Sequence, residues 1–396
     1  VDGRDSNMKY DFDEYTNRRK TGSIKWSPSV LDDEDTLPLW IADMDFRCPQ
    51  PVIDRLVKTA EHGIYGYSER SNSYYDAVIG WYKKKHGWKI EKDWIVVTPG
   101  IVPALHLMVQ TFCMRGDQVI VQTPVYYPFF QAILNNGCHI VYNQLRLEKG
   151  QYVMDFETLE KQARDPKAKL IILCNPHNPI GRVWTKEELK RLGDICIEND
   201  ILVVADEIHS DFIYKGFQHI VFSMISDGFS ENSITCTAPS KTFNLAGLQV
   251  SNIVIPNKKL KQVFAQTVER TGVTLSNTFG IAAAIAAYEE GEEWLTQLLV
   301  YLEDNIDFLD RFILEKMPEV KFLRPQGTYL GWFDFRSIEL DPKRLEDLMR
   351  KKANVLLDEG YVFGKGGEGF ERINFACPRS TLDQAMNRIR RAIGNR

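Results

Sequence analysis

Three short segments of this 396-residue chain carry side chains suited to chemistry. They are Asn175-Pro-His-Asn178-Pro-Ile-Gly181, Asp206-Glu-Ile-His209-Ser-Asp211 and Ala238-Pro-Ser240-Lys241-Thr-Phe-Asn244. Each follows or ends an apolar run that reads as a strand. Open α/β sheets bind their ligands at the carboxyl ends of the strands. An amide, a carboxylate and a lysine should therefore converge there. Taken singly, a lysine is an ordinary solvated cation and a strand-end Asp an ordinary cap or turn residue. The ordered set of three is far more specific.

The chemistry follows from the residue types. A desolvated lysine has a lowered pKa and can form a Schiff base. An Asp buried beside a pyridine nitrogen keeps that nitrogen protonated and makes the ring an electron sink. Asn178 is placed to donate to a phenolic oxygen of the same ring. A lysine imine with an acidic partner for the ring is the arrangement that pyridoxal 5'-phosphate requires. Other motifs lead elsewhere. Gly364-Lys-Gly366-Gly-Glu-Gly369 matches GxGxxG, but Phe370–Ala376 after it reads as a strand, where a dinucleotide site needs a helix. It reads as a Gly-rich turn. The sequence contains neither GxxxxGK[ST] nor HExxH.

The elements that must hold these groups are legible as apolar runs. Trp94–Thr98, Gln118–Gln122, Leu170–Cys174, Ile201–Ala205, Ser233–Thr237 and Val250–Ile255 are continuous and not alternating, which suits strands buried on both faces. Helical spacing appears in two stretches between Gln50 and Gly87 and again over Val102–Met114. Thr185-Lys-Glu-Glu188 is a capping box that opens a helix to about Asn199. Strand–helix–strand order predicts parallel pairing with right-handed crossovers. The chain ends in an amphipathic helix, Leu382–Ile393, with Ala385, Met386 and Ile389 on one stripe. The first fifty residues read as an irregular arm.

Composition narrows the class. With 49 Lys+Arg against 54 Asp+Glu, the net charge is −5. There is no strong basic excess for nucleic acid. Hydrophobic residues at 44% and charged residues at 26% are those of a folded globular protein. The seven cysteines are scattered without a CxxC pair, so neither a disulfide framework nor a zinc knuckle is expected. A reducing cytoplasm is the natural setting. No apolar run approaches the ~20 residues that a membrane helix needs. Val1–Tyr10 is polar, with no apolar signal core. Val1–Asn7 reads as an addition ahead of a start at Met8.

The order NPxNPxG, DE at a strand end and SKTFN resembles the fold-type I pyridoxal-phosphate enzymes of the aminotransferase superfamily. The resemblance runs from about Tyr10 to Ile393. It is closer still to the cystathionine β-lyase and cystalysin-like C–S lyases. The similar stretches are Thr21–Trp26, Leu39-Trp-Ile-Ala-Asp-Met-Asp-Phe46, Thr123-Pro-Val-Tyr126-Tyr127-Pro-Phe129, Asp206-Glu-Ile-His209 and Phe370-Glu-Arg372-Ile-Asn374. The implied fold is α/β and aspartate-aminotransferase-like. It has a large domain with a mostly parallel sheet flanked by helices, and a small α/β domain from both termini. Residues 1–50 would be the arm and part of the small domain, 51–287 the large cofactor domain, and 288–396 the small C-terminal domain.

The resemblance also implies roles. Lys241 would be the Schiff-base lysine and proton shuttle, Asp206 the partner of the pyridine nitrogen, and Asn178 that of the phenolic oxygen. Tyr126 would stack on the ring, and His209 would lie beside the cofactor. Ile101 and Val102 would offer backbone N–H groups to the phosphate at a helix N-terminus, with the Ser240 hydroxyl. Tyr67 would reach the phosphate of the second subunit of a homodimer. Arg372 would hold the substrate α-carboxylate, with Tyr127, Trp26 and Asn374 lining the pocket. Two departures stand out. Aspartate aminotransferases carry Tyr three residues after the pyridine Asp and Arg eight residues after the lysine, where this chain has His209 and Gln249. His209 is shared with the lyase branch, whereas Gln249 leaves the phosphate one cation short.

The implied reaction is α,β-elimination on a small sulfur amino acid, giving pyruvate, ammonia and a thiol. An aminotransferase is the alternative, since both reactions use Lys241, Asp206 and Arg372. A third reading is a regulator that binds a protein partner and keeps residual lyase activity. No metal, nucleic-acid or membrane partner is expected.

Overall fold

The computed structural model describes residues 9–394. The reading of Val1–Asn7 and Met8 lies outside the described residues.

Seven strands form the central sheet. They are β1 (Ile95–Thr98), β2 (Gln118–Val121), β3 (His139–Tyr142), β4 (Ala168–Cys174), β5 (Leu202–Asp206), β6 (Ser233–Thr237) and β7 (Ser251–Val254). Their spatial order is β1-β7-β6-β5-β4-β2-β3. The β6–β5–β4–β2–β3 pairs are parallel. The strand β7 runs antiparallel to both β6 and β1, the one reversal in a sheet that is mostly parallel, as expected. The reason lies in the connection. Between β6 and β7 the chain forms only short helical turns at Pro239–Thr242 and Ala246–Leu248. A parallel return usually runs through a crossover helix that carries the chain back along the sheet, and these short turns do not. The chain turns back at the sheet's end, and Lys241 sits in that turn.

Continuous apolar sequence explains the central strands. Leu170, Ile171, Ile172 and Leu173 in β4 are buried, as are Val203, Val204 and Ala205 in β5. Each such side chain contributes about 1.5–3 kcal/mol when fully removed from water. Helix Lys186–Glu198 returns the chain from β4 to β5. Its capping box is formed in both directions, by the Thr185 side chain with the Glu188 N–H and by the Glu188 side chain with the Thr185 N–H. Leu189, Leu192, Ile195 and Cys196 are its buried face.

A second sheet follows the 25-residue helix Glu292–Lys316. It contains β8 (Lys321–Leu323), β9 (Leu330–Asp334), β10 (Asp358–Glu359) and β11 (Phe370–Asn374), in the order β8-β9-β11-β10 and all antiparallel. The arm joins this part through Leu37–Pro38, which pairs in parallel with Val355–Leu356. The closing helix, Arg379–Gly394, buries Leu382, Ala385, Met386 and Ile389. The GxGxxG segment is a turn before β11. Its Gly364, Gly366 and Gly369 have φ of 88°, 87° and 79°, which only glycine adopts without cost. Among the described residues, no helix is long and apolar enough to cross a membrane.

Candidate active site

The carboxyl ends of β1, β4, β5 and β6 open on one cavity of about 190 Å³. Gly100, Ile101 and Val102 from the β1 end, Asn178 after β4, Asp206 and His209 at β5, and Ser240 and Lys241 after β6 all line it. Tyr126, from the loop after β2, and Gln249 and Val250, before β7, complete the wall. The three segments that sequence reasoning placed together are together.

Asp206 ends β5 with its carboxylate buried, accepting one hydrogen bond from the Ile208 N–H at 3.2 Å. Burial pushes its pKa up to about 7, against the pull of that N–H and of Lys241. A carboxylate so placed favours a cationic partner inside the cavity. Lys241 is half-buried, and its Nζ donates to the Ala42 carbonyl at 2.5 Å. Desolvation lowers its pKa to about 8; Asp43 and Asp206 oppose the shift and Arg372 adds to it. His209 is buried with no partner on Nδ1, and desolvation holds its pKa well below the ordinary imidazole value. Burial also raises the Tyr126 phenol.

Ile101 opens the helix Ile101–Phe112, whose first N–H groups have no intrahelical acceptor, and its first two residues line the cavity together with Ser240. The Gln249 side chain stands in the same wall. Arg372 lies one contact behind the cavity, fully buried on β11. Its Nη1 donates to Asn178 Oδ1 at 3.0 Å, and its Nη2 to the Trp40 carbonyl at 2.8 Å and to Asp358.

Other expected residues stand elsewhere. Tyr127 packs near Tyr126, with ring centroids 5.6 Å apart, and faces a neighbouring cavity shared with Trp40 and Asp358. Trp26 does not line the cofactor cavity; its indole donates to Asp45 at 3.0 Å. Asn374 does not line it either. Its amide donates to the carbonyls of Ile41 and Asp43, at 2.8 and 2.6 Å. Both hold the segment that presents Ala42. Tyr67 is 95% exposed and lies outside the cavity of its own chain.

Several residues that shape the site were not singled out from sequence. Asn244, in the left-handed region at φ 59°, donates to Met44 and Phe46 carbonyls at 3.0 and 2.9 Å. Lys25 and Arg18 each pair with Asp45 at 2.8 Å. Tyr329 donates to the Ala42 carbonyl at 2.9 Å. Behind Lys241, the Thr242 hydroxyl donates to Asp211 at 2.7 Å, and His86 and Trp81 bind the same carboxylate. The quoted SKTFN and IADMDF stretches contained half of this signal, because Asn244 and Ala42 lie within them.

The comparisons with known proteins agree with this geometry. The aminotransferase class I and II family matches residues 35–389. The chain is 43% identical over 384 residues to the cystathionine beta-lyase PatB of Bacillus subtilis (strain 168), covering 96% of this chain and 99% of that one. Cystalysin from Treponema denticola, whose crystal structure contains pyridoxal 5'-phosphate, superposes with a TM-score of 0.95 at 40% identity, covering 98% of this chain and 100% of that one. A C–S lyase from Staphylococcus hominis with pyridoxal phosphate bound gives 0.92 at 34% identity, covering 98% and 99%.

The donor set fits that cofactor. A buried carboxylate with one hydrogen bond suits a protonated ring nitrogen, a desolvated lysine suits an imine, and free helix N–H groups with a hydroxyl suit a phosphate. The chain belongs to the aminotransferase class I and II family of fold-type I pyridoxal-phosphate enzymes, in the branch that contains the C–S lyases.

Proposed function

We infer that the protein is a pyridoxal-phosphate-dependent C–S β-lyase that converts a sulfur amino acid to pyruvate, ammonia and a thiol. The observation that carries the chemistry is the pairing of Asp206 and Lys241 in one cavity with Arg372 directly behind it. Similarity to cystathionine β-lyase over nearly the whole chain supports the C–S lyase reading.

Each residue has a task. Arg372 holds the substrate α-carboxylate, and a planar fork fixes its orientation best. That orientation stands the Cα–H bond over the cavity face where Lys241 waits. Lys241, with a pKa near 8, is substantially neutral at mildly alkaline pH and takes the Cα proton. Bound pyridoxal phosphate supplies the electron sink for the charge left on Cα. Asp206 would hold positive charge on the ring nitrogen. Asn178 would serve the phenolic oxygen, and Tyr126 would hold the ring. The backbone N–H groups of Ile101 and Val102, with Ser240, would hold the phosphate, and His209 would lie beside the cofactor. The cavity lined by Tyr127 and Trp40 offers room for the sulfur substituent.

The small number of phosphate cations fits a homodimer in which the partner's Tyr67 reaches the phosphate, and the exposure of Tyr67 supports this. We divide the chain at about residue 287 into the cofactor-holding part and a smaller C-terminal part joined by the arm. Seven free cysteines support a reducing, cytoplasmic setting. A panel of L-cysteine, L-cystine, L-cystathionine and L-alanine tests the reaction type. Pyruvate should form from the sulfur amino acids and not from alanine. No pyruvate from any sulfur substrate would refute the assignment.

A further inference from the structure

Arg372 and Asp358 face each other across the β10–β11 pair, in register. Both are buried, and they form an ion pair. Three hydrogen bonds engage the two terminal nitrogens of the guanidinium. Asn178 Oδ1 takes Nη1; the Trp40 carbonyl and Asp358 take Nη2. The Phe363 ring covers its carbon at 4.9 Å. Only Nε is buried without an acceptor. A carboxylate bound bidentately needs two parallel N–H groups, and the edge that includes Nε is completed by Nη2. Asp358 and the Trp40 carbonyl hold the Nη2 half of that edge, and its Nε half has no acceptor.

We propose that Asp358 is the resting counter-ion of Arg372 and that the substrate α-carboxylate must displace it to bind. This rests on the reading of Arg372 as the α-carboxylate site. Without a counter-ion, a buried guanidinium carries a large desolvation cost. Asp358 removes that cost in the empty site. It also sets a threshold for entry. A simple carboxylate that has no amine to exchange with Lys241 at the cofactor competes poorly with a carboxylate already in place. An α-amino acid has both anchors and prevails. Asp358 is thus a specificity residue that tunes affinity and leaves the proton transfer to Lys241.

The test uses the holoenzyme, with L-cystathionine as substrate and 3-(methylthio)propionate as an amine-free carboxylate probe. Asp358→Asn keeps an acceptor for Nη2 and removes the charge. It should lower both the KM and the inhibition constant of the probe by about tenfold, with kcat within about twofold. Asp358→Ser should do the same, and Asp358→Glu should keep the wild-type values. Arg372→Ala should raise KM on the order of a hundredfold. Unchanged or raised KM and inhibition constants in Asp358→Asn and Asp358→Ser, beside a raised KM in Arg372→Ala, would overturn the role of Asp358 alone. An unchanged KM in Arg372→Ala would overturn the reading of Arg372 and this inference with it.

Discussion

Lys241 Nζ points at the Ala42 carbonyl, 2.5 Å away, and draws the N-terminal arm into the centre of the site. Tyr329 donates to the same oxygen. A lysine held by one backbone acceptor in a desolvated wall is positioned without being neutralised by a carboxylate. It remains free to be a base.

Lys241→Ala should therefore lose turnover by at least about 10³-fold, together with the near-ultraviolet and visible absorbance of the bound imine. Steady-state elimination and an absorbance spectrum measure both. Near-normal turnover would remove Lys241 from its role.

The Thr242–Asp211 hydrogen bond fixes the turn on which Lys241 stands. Asp211 is held below the usual carboxylate range. Burial works against this, and hydrogen bonds and charge from His86, with the Thr242 and Trp81 donors, prevail. Thr242→Val should lower kcat about tenfold with KM nearly unchanged, because the lysine is misaimed while the carboxylate anchor is intact. Equal effects on both constants, or none, would contradict this.

Asp206 makes a pH-dependent contribution to the stability of the cofactor-free protein. Its folded pKa, about 7, lies above its ordinary value of 3.8, so the folded state binds more protons in between. Its contribution is fully present below pH 3.8 and is lost as pH rises toward 7. Asp206→Asn, which cannot ionise, should gain stability relative to wild type across that window. Urea unfolding at pH 5 and pH 8 measures the difference, and a pH-independent difference would contradict it.

Gly280 gives a stability test with an informative sign. A Cβ there would lie 2.5 Å from the Leu248 carbonyl, next to Gln249 in the cavity wall. Gly→Ala inside a helix ordinarily stabilises by about 0.5–1 kcal/mol. Here Gly280→Ala should destabilise by about 1–3 kcal/mol, because a backbone oxygen cannot step aside as a side chain can. Equilibrium unfolding reads the sign directly.

Much of this was legible in the sequence, for a physical reason. Strands buried on both faces must be apolar throughout, so β4, β5 and β6 announce themselves, and their carboxyl ends locate Asn178, Asp206 and Lys241. The edge strand β3 was missed because His139, exposed, and its half-buried neighbours carry no such run. The reversal at β7 depends on a connection that forms short turns and no crossover helix, and not on the composition of the strand. Ala42 acts through its carbonyl oxygen, which no side chain advertises. Asp358 lies fourteen residues before Arg372 and looks like any acidic residue until strand register sets them opposite each other. Trp26 read as a pocket residue because its stretch resembles the lyases. In the fold that stretch acts at one remove, by holding Asp45.

The central claim is that charge developed at Cα expels a β-thiolate. It is tested most directly by incubating the holoenzyme with L-cystathionine and no keto acid, while following pyruvate and thiol together over many turnovers. The account predicts sustained release of both in equal amounts. Consumption of L-cystathionine without thiol release, stopping within one turnover and resuming only when a keto acid is added, would contradict it and identify an aminotransferase.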